Sequence, residues 1–216
     1  MATLSKPARQ GIILLIAFNI LIELALSVGD WGLFGITRMR ALMYEYAGFW
    51  PGLLKGWTYN YPIQPYLMFL TYGFLHAGLI HLALNMITLW SLGRAVIKRV
   101  GFGGFAALYA ISILGGATGY ALLAEGLQPM VGASGALFGL AGGLLAWLYV
   151  DRFPYHRGFL PVLQAVILLV LLNLAIWWAM SGQLAWETHL GGFLAGWIAA
   201  LVIDPRPMEH PVTPPD

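Results

Sequence analysis

The chain repeatedly runs for the length of a membrane crossing with almost no charge. Between Gly11 and Val28 the only Asp, Glu, Lys or Arg is Glu23, and the later segments Phe102–Leu123, Ala133–Val150, Phe159–Met180 and His189–Ile203 contain none. A hydrocarbon core about 30 Å thick is crossed by about 20 helical residues. Inside it every backbone N–H and C=O must be paired within the protein, so only helices and closed barrels cross. None of these segments alternates apolar and polar residues as a barrel strand does, and they are therefore read as helices. With Leu79–Val96, preceded by an apolar lead-in from Pro65, six spans are expected, in an all-α polytopic bundle.

Composition agrees with this reading. Hydrophobic residues make up 60% of the chain and charged residues 9%, against about 25% charged in a typical soluble domain. The net charge of +2 is too small to point to nucleic acid. With no cysteine, disulfides, thiolate nucleophiles and Cys-based metal sites are excluded. The first span exceeds a usual signal-peptide apolar region and lacks an A-x-A-like cleavage site, so it is read as a retained anchor. Residues 1–204 are expected to form one membrane domain. The proline-rich tail, 205–216, is read as a disordered cytoplasmic segment.

Six spans put both termini on one side. Lys6, Arg9, Arg94, Lys98, Arg99, Arg152, Arg157 and Arg206 fall there, and only Arg38, Arg40 and Lys55 fall opposite. The positive-inside rule then places the termini in the cytoplasm, in the cell (inner) membrane. The first outer loop, about 29–64, carries Trp31, Phe34, Tyr44, Tyr46, Phe49, Trp50, Trp57, Tyr59 and Tyr61, and is expected to lie among the headgroups, where amphipathic rings are favoured. His156 and His210 fall in surface segments and are set aside. Glu23 is expected to snorkel or to pack inward.

The same topology brings Ser134 and His189 to one face of the membrane. Ser134 lies in Gly132-Ala133-Ser134-Gly135 and opens the fourth span, while His189 opens the sixth. Ionisable side chains are expensive in hydrocarbon, so an intramembrane histidine is a functional hypothesis by default. A serine hydroxyl needs a base before it attacks, and a neutral His189 supplies one. Attack on an amide carbonyl builds an oxyanion that needs donors. The Ser134 backbone N–H, free at a helix start, and the Asn85 side-chain amide qualify, and His81 adds a third. His81 and Asn85 are four apart and share a helix face. His76 would be rotated from His81 by about 140°, and its default role is to tie the first loop or a helix start by hydrogen bonds. No carboxylate is placed to orient His189, which favours a dyad. Phe138, one turn below Ser134, is a candidate to pack against the imidazole. Gly135, Gly139 and Gly143 on the fourth span, and Gly192 and Gly196 on the sixth, recur every four residues, a spacing that lets membrane helices approach closely.

Other intramembrane protease chemistries lack their residues. There is no H-E-x-x-H zinc motif, and Asp30, Asp151 and Asp204 sit at segment ends, where no two of them make an aspartyl dyad. A nucleophile elbow would need a strand and glycine at position 136, where this chain has Ala136.

Taken together, Gly132-Ala133-Ser134-Gly135, His189-x-x-Gly192-x-x-x-Gly196 and His76-x4-His81-x3-Asn85 resemble the rhomboid intramembrane serine proteases. The resemblance covers roughly Pro65 to Asp204. It implies a six-helix core, cleavage of transmembrane segments of other membrane proteins near the outer face, and no metal or organic cofactor. It assigns Ser134 as nucleophile, His189 as general base, and His81, Asn85 and the Ser134 N–H as the oxyanion hole. Partners would be substrate helices and the lipid bilayer, with no nucleic acid. Two departures stand out. Pro65-Tyr66-Leu67-Met68 occupies the place of the family's usual Trp-Arg pair, which leaves the loop's anchoring open. Phe138 replaces a common tyrosine. Competing readings are a non-proteolytic protein that binds transmembrane segments, and a transporter or channel; the near absence of carboxylates in the spans argues against the last.

Overall fold

The structure, a computed structural model, describes residues 4–204 apart from Phe34, Ile36, Leu127, residues 154–157, Met180 and Gly182. His156, His210 and the tail thus lie outside the described residues. Among the described residues seven α-helices follow in order: α1 (Lys6–Asp30), α2 (Met39–Ala47), α3 (Gln64–Thr71), α4 (Leu79–Leu123), α5 (Ser134–Arg152), α6 (Leu160–Ala179) and α7 (Trp186–Ile203). Five of them are long and apolar enough to cross a membrane.

Helix α4 accounts for two of the six expected spans. Its 45 residues would extend roughly 68 Å at ~1.5 Å each, more than twice the hydrocarbon thickness. Gly101 interrupts it with φ +73° and ψ 178°, a left-handed-side conformation open to glycine and strained for other residues. The chain turns there, and residues 79–100 and 102–123 form separate spans.

Charge and proline set the remaining boundaries. Pro7 and Pro65 sit in the first turns of α1 and α3, where a missing N–H costs no intrahelical bond. Helix α1 begins at Lys6, a turn before the apolar run at Gly11, because the polar first turn is helical as well. The short helices α2 and α3 lie within and just after the first loop, where the sequence pattern shows only a loop and a lead-in.

Helix α5 packs most extensively against α7, and the second half of α4 packs against both. The seam is backbone on backbone. A Cβ added to Gly192 would overlap the Gly135 carbonyl, and one added to Gly196 would overlap the Gly139 carbonyl and Cα. A Cβ on Gly119 would come within 2.8 Å of the Gly191 Cα. Small side chains are thus what lets these spans close up. At the rim, α6 is the least covered span: 6% of its apolar window is buried, against 50% for α5.

The first loop sends one of its aromatic rings into the protein core. Trp31, Tyr59 and Trp57 are exposed, but Phe49 is fully buried. Its ring packs edge-on against Phe69, Tyr72 and Tyr120. At the opposite end of the bundle, Arg99 of α4 binds Asp151 of α5 at 2.6 Å and Asp204, just past α7, at 3.1 Å. The three central helices are therefore cross-tied at the end away from Ser134.

Candidate active site

Ser134 is the first residue of α5, and its backbone N–H lies in the turn that has no intrahelical acceptor. Two bonds guide the chain into this position. The Gly132 N–H donates to the Tyr72 carbonyl at 3.0 Å, and the Tyr72 hydroxyl donates to the Ile113 carbonyl at 2.8 Å. Gly132 itself has φ +129°, and a Cβ there would come within 2.8 Å of the His81 ring. Both backbone conformation and space reserve the position for glycine.

His189 stands in the first turn of α7, 6% exposed. Its Nε2 lies 2.9 Å from Ser134 Oγ. Phe138 stacks on the imidazole, with centroids 4.1 Å apart and planes 6° from parallel. A neutral imidazole has one donor and one acceptor nitrogen. If Nε2 accepts from the serine hydroxyl, Nδ1 carries the proton. That nitrogen lies 2.5 Å from Oδ1 of Asn173 on α6.

Asn173 is not among the residues that the sequence motifs single out. The signal was available: it is a polar residue in a span that is otherwise apolar apart from Gln164. The cost of polar groups in hydrocarbon applies to it as it does to histidine.

His81 and Asn85 lie on α4, and the His81 ring borders Gly132 on the approach to Ser134. Asn85 is 4% exposed and donates one amide hydrogen to the His81 carbonyl at 2.9 Å, which leaves its second hydrogen for another acceptor. His81 accepts the Ala77 N–H on Nδ1 at 3.2 Å and directs its other ring edge at Gly132. His76 is fully buried and meets His81 edge-on, with centroids 5.2 Å apart. Its backbone carbonyl accepts from Arg40 Nη1 at 2.7 Å and from the Tyr44 hydroxyl at 2.8 Å.

Arg40 supplies an anchor for the first loop. Its guanidinium grips Glu23, fully buried on α1, with bonds of 2.7 and 2.9 Å, and also reaches Ser27 Oγ at 3.1 Å. Its backbone N–H donates to Asp30 at 2.9 Å. The hydrogen bond to Glu23 raises the guanidinium above its ordinary range, against the opposing effect of burial. Glu23 thus packs inward, and α1, α2 and the turn before α4 meet at the Arg40 guanidinium, which also pairs with Asp30 at 3.3 Å.

A Rhomboid domain family model matches residues 64–206. The chain belongs to the rhomboid family. Among curated rhomboid relatives, RHOMBOID-like protein 5 of Arabidopsis thaliana is 38% identical over 141 residues, which cover 65% of this chain and 45% of that protein. Rhomboid protease GluP of Bacillus subtilis (strain 168) is 35% identical over 129 residues, 60% of this chain and 24% of the relative. Rhomboid protease GlpG of Salmonella newport (strain SL254) is 30% identical over 154 residues, 66% of this chain and 52% of the relative. The chain thus matches about half or less of the length of these rhomboids. The matched domain begins at Gln64, so the ion pair between Arg40 and Glu23 lies outside it.

Proposed function

We propose that this rhomboid-family protein is an intramembrane serine endopeptidase that cleaves transmembrane segments of other membrane proteins. The observation that carries the reading is the 2.9 Å separation of Ser134 Oγ and His189 Nε2 at the adjoining ends of two tightly packed spans. Ser134 is the nucleophile and His189 the general base. As the serine oxygen bonds to the substrate carbonyl carbon, its proton passes to Nε2. The carbonyl oxygen becomes an oxyanion facing the Ser134 N–H, the free Asn85 amide hydrogen and His81. The C–N bond then breaks, the leaving amine takes the proton from His189, and an acyl-serine remains. Water, deprotonated by His189, releases the acid and restores the hydroxyl.

A substrate helix must unwind locally, because its own hydrogen bonds shield the carbonyls. Both termini are assigned to the cytoplasm and the site to the outer side, in accord with the positive-inside rule. The test is cleavage of a transmembrane reporter by the protein in liposomes, with fluorophosphonate labelling of Ser134. Ser134→Ala and His189→Ala should each abolish cleavage. Cleavage that survives either substitution, or reporter binding without labelling or cleavage by wild type, overturns the reading.

A further inference from the structure

We infer that Asn173 is a positioning residue for the general base, so that the working unit is Ser134–His189–Asn173 assembled from three spans. The inference rests on the protease reading above. A base that takes a proton on Nε2 must hold the opposite proton on Nδ1, and the tautomer is fixed by whatever accepts from Nδ1. Asn173 Oδ1 lies 2.5 Å from that nitrogen. Phe138 stacks on the ring face. Stacking fixes the plane of the ring but not its rotation within that plane. The Asn173 carbonyl fixes the rotation, aims Nε2 at Ser134 Oγ, and presents the negative end of an amide dipole to the imidazolium that forms during attack. It fills the place of a carboxylate without placing a charge in the membrane.

Asn173 lies on the inward stripe of its helix. Along α6, Val162, Ala165, Val166, Leu169 and Asn173 are buried or half-buried, at spacings of one helix face, while Leu168, Leu171, Leu172 and Leu174 are exposed. The stripe is narrow and otherwise apolar, and its polar member meets the catalytic histidine. An asparagine with no such task would cost free energy in a lipid-facing helix.

The test uses the full chain in liposomes with the transmembrane reporter, and compares wild type with Asn173→Leu, Asn173→Asp and Asn173→Gln. Leucine suits a span helix and removes the acceptor; the other two retain one. A positioned base contributes about 10²–10⁴-fold, so Asn173→Leu should lower kcat by about tenfold or more within that ceiling. KM should stay unchanged, and the rate of Ser134 labelling should fall in parallel. At least one acceptor-retaining variant should recover most of the loss. A wild-type kcat in Asn173→Leu overturns the inference, as does a loss that appears in KM alone or one that neither Asp nor Gln restores. A wild type that neither cleaves nor labels sinks the protease reading instead, and is recognised before the variants are compared.

Discussion

Phe49 and Met130 exchange both backbone hydrogen bonds, Phe49 N–H to Met130 O at 3.0 Å and Met130 N–H to Phe49 O at 2.9 Å. This two-residue bridge stitches the first loop to the stretch that enters Ser134. The loop and the approach to the serine are therefore one unit, with the Phe49 ring as its plug. Phe49→Ala should cost roughly 3–5 kcal/mol, the usual range for emptying a buried phenylalanine site. Thermal unfolding in detergent would show a lowered midpoint, and Ser134 labelling should weaken with it. An unchanged midpoint would mean that the Phe49 ring does not act as a plug.

The seam between α5 and α7 makes a paired prediction. Gly196→Ala places a methyl against the Gly139 backbone, which has no flexible end to move aside. It should unfold the bundle or separate Ser134 from His189, read as loss of labelling. Gly103→Ala meets nothing within 4 Å and should be neutral or stabilising by up to about 1 kcal/mol through helix propensity. Equal melting temperatures for the two variants would refute the seam.

Arg40→Ala leaves Glu23 buried without its cation. Breaking a buried pair from one side typically costs about 3–5 kcal/mol, while replacing both partners with apolar residues is often nearly neutral. Arg40→Met with Glu23→Leu should consequently melt higher than Arg40→Ala alone. Arg40→Lys should not substitute fully, because a lysine lacks the planar fork that serves Glu23 and the His76 carbonyl together.

At the other end of the molecule, Arg99→Ala should lower stability and leave kcat unchanged in the folded fraction. Arg99 joins Asp151 and Asp204, and its guanidinium lies 5.0 Å from the Trp147 ring centroid. Asp151 and Ser134 lie near opposite ends of α5. A specific fall in kcat would show that this clamp reaches the site.

Asn85→Ala removes one proposed oxyanion donor, a loss that typically costs about 10²–10³-fold in turnover. The fall should appear in kcat, with the melting midpoint close to wild type. Undiminished turnover would remove Asn85 from the site.

Much of this arrangement was legible in the chain because hydrocarbon leaves few choices. Apolar run lengths gave the spans, and their parity put Ser134 and His189 on one side. The every-fourth glycines marked the faces on which α5 and α7 meet. What stayed hidden depended on the path of the backbone between spans. Arg40 and Glu23 are 17 positions apart, and no periodicity links a loop arginine to a helix glutamate. Phe49 reads like any aromatic in an aromatic-rich loop, and only the folded path sends it inward. Asn173 differs: the cost of a polar group in a span pointed to it, but its partner lies on another helix. The sixth apolar segment begins at His189, whereas α7 begins at Trp186. Its first turn is helical but carries Glu187, and hydropathy does not register such a turn.

The glycine seam also decides where this molecule yields to its solvent. A bilayer thicker or thinner than the spans is met by tilt or bending, at fractions of a kcal/mol per Å. Helices α5 and α7 touch backbone to backbone, so neither can rock on the other without collision. The adjustment falls to the spans most open to lipid, α1 and α6. A change of lipid chain length would then be absorbed at the rim of the molecule. The distance from serine to histidine would be kept like a gauge block, set by two peptide backbones with nothing between them to compress.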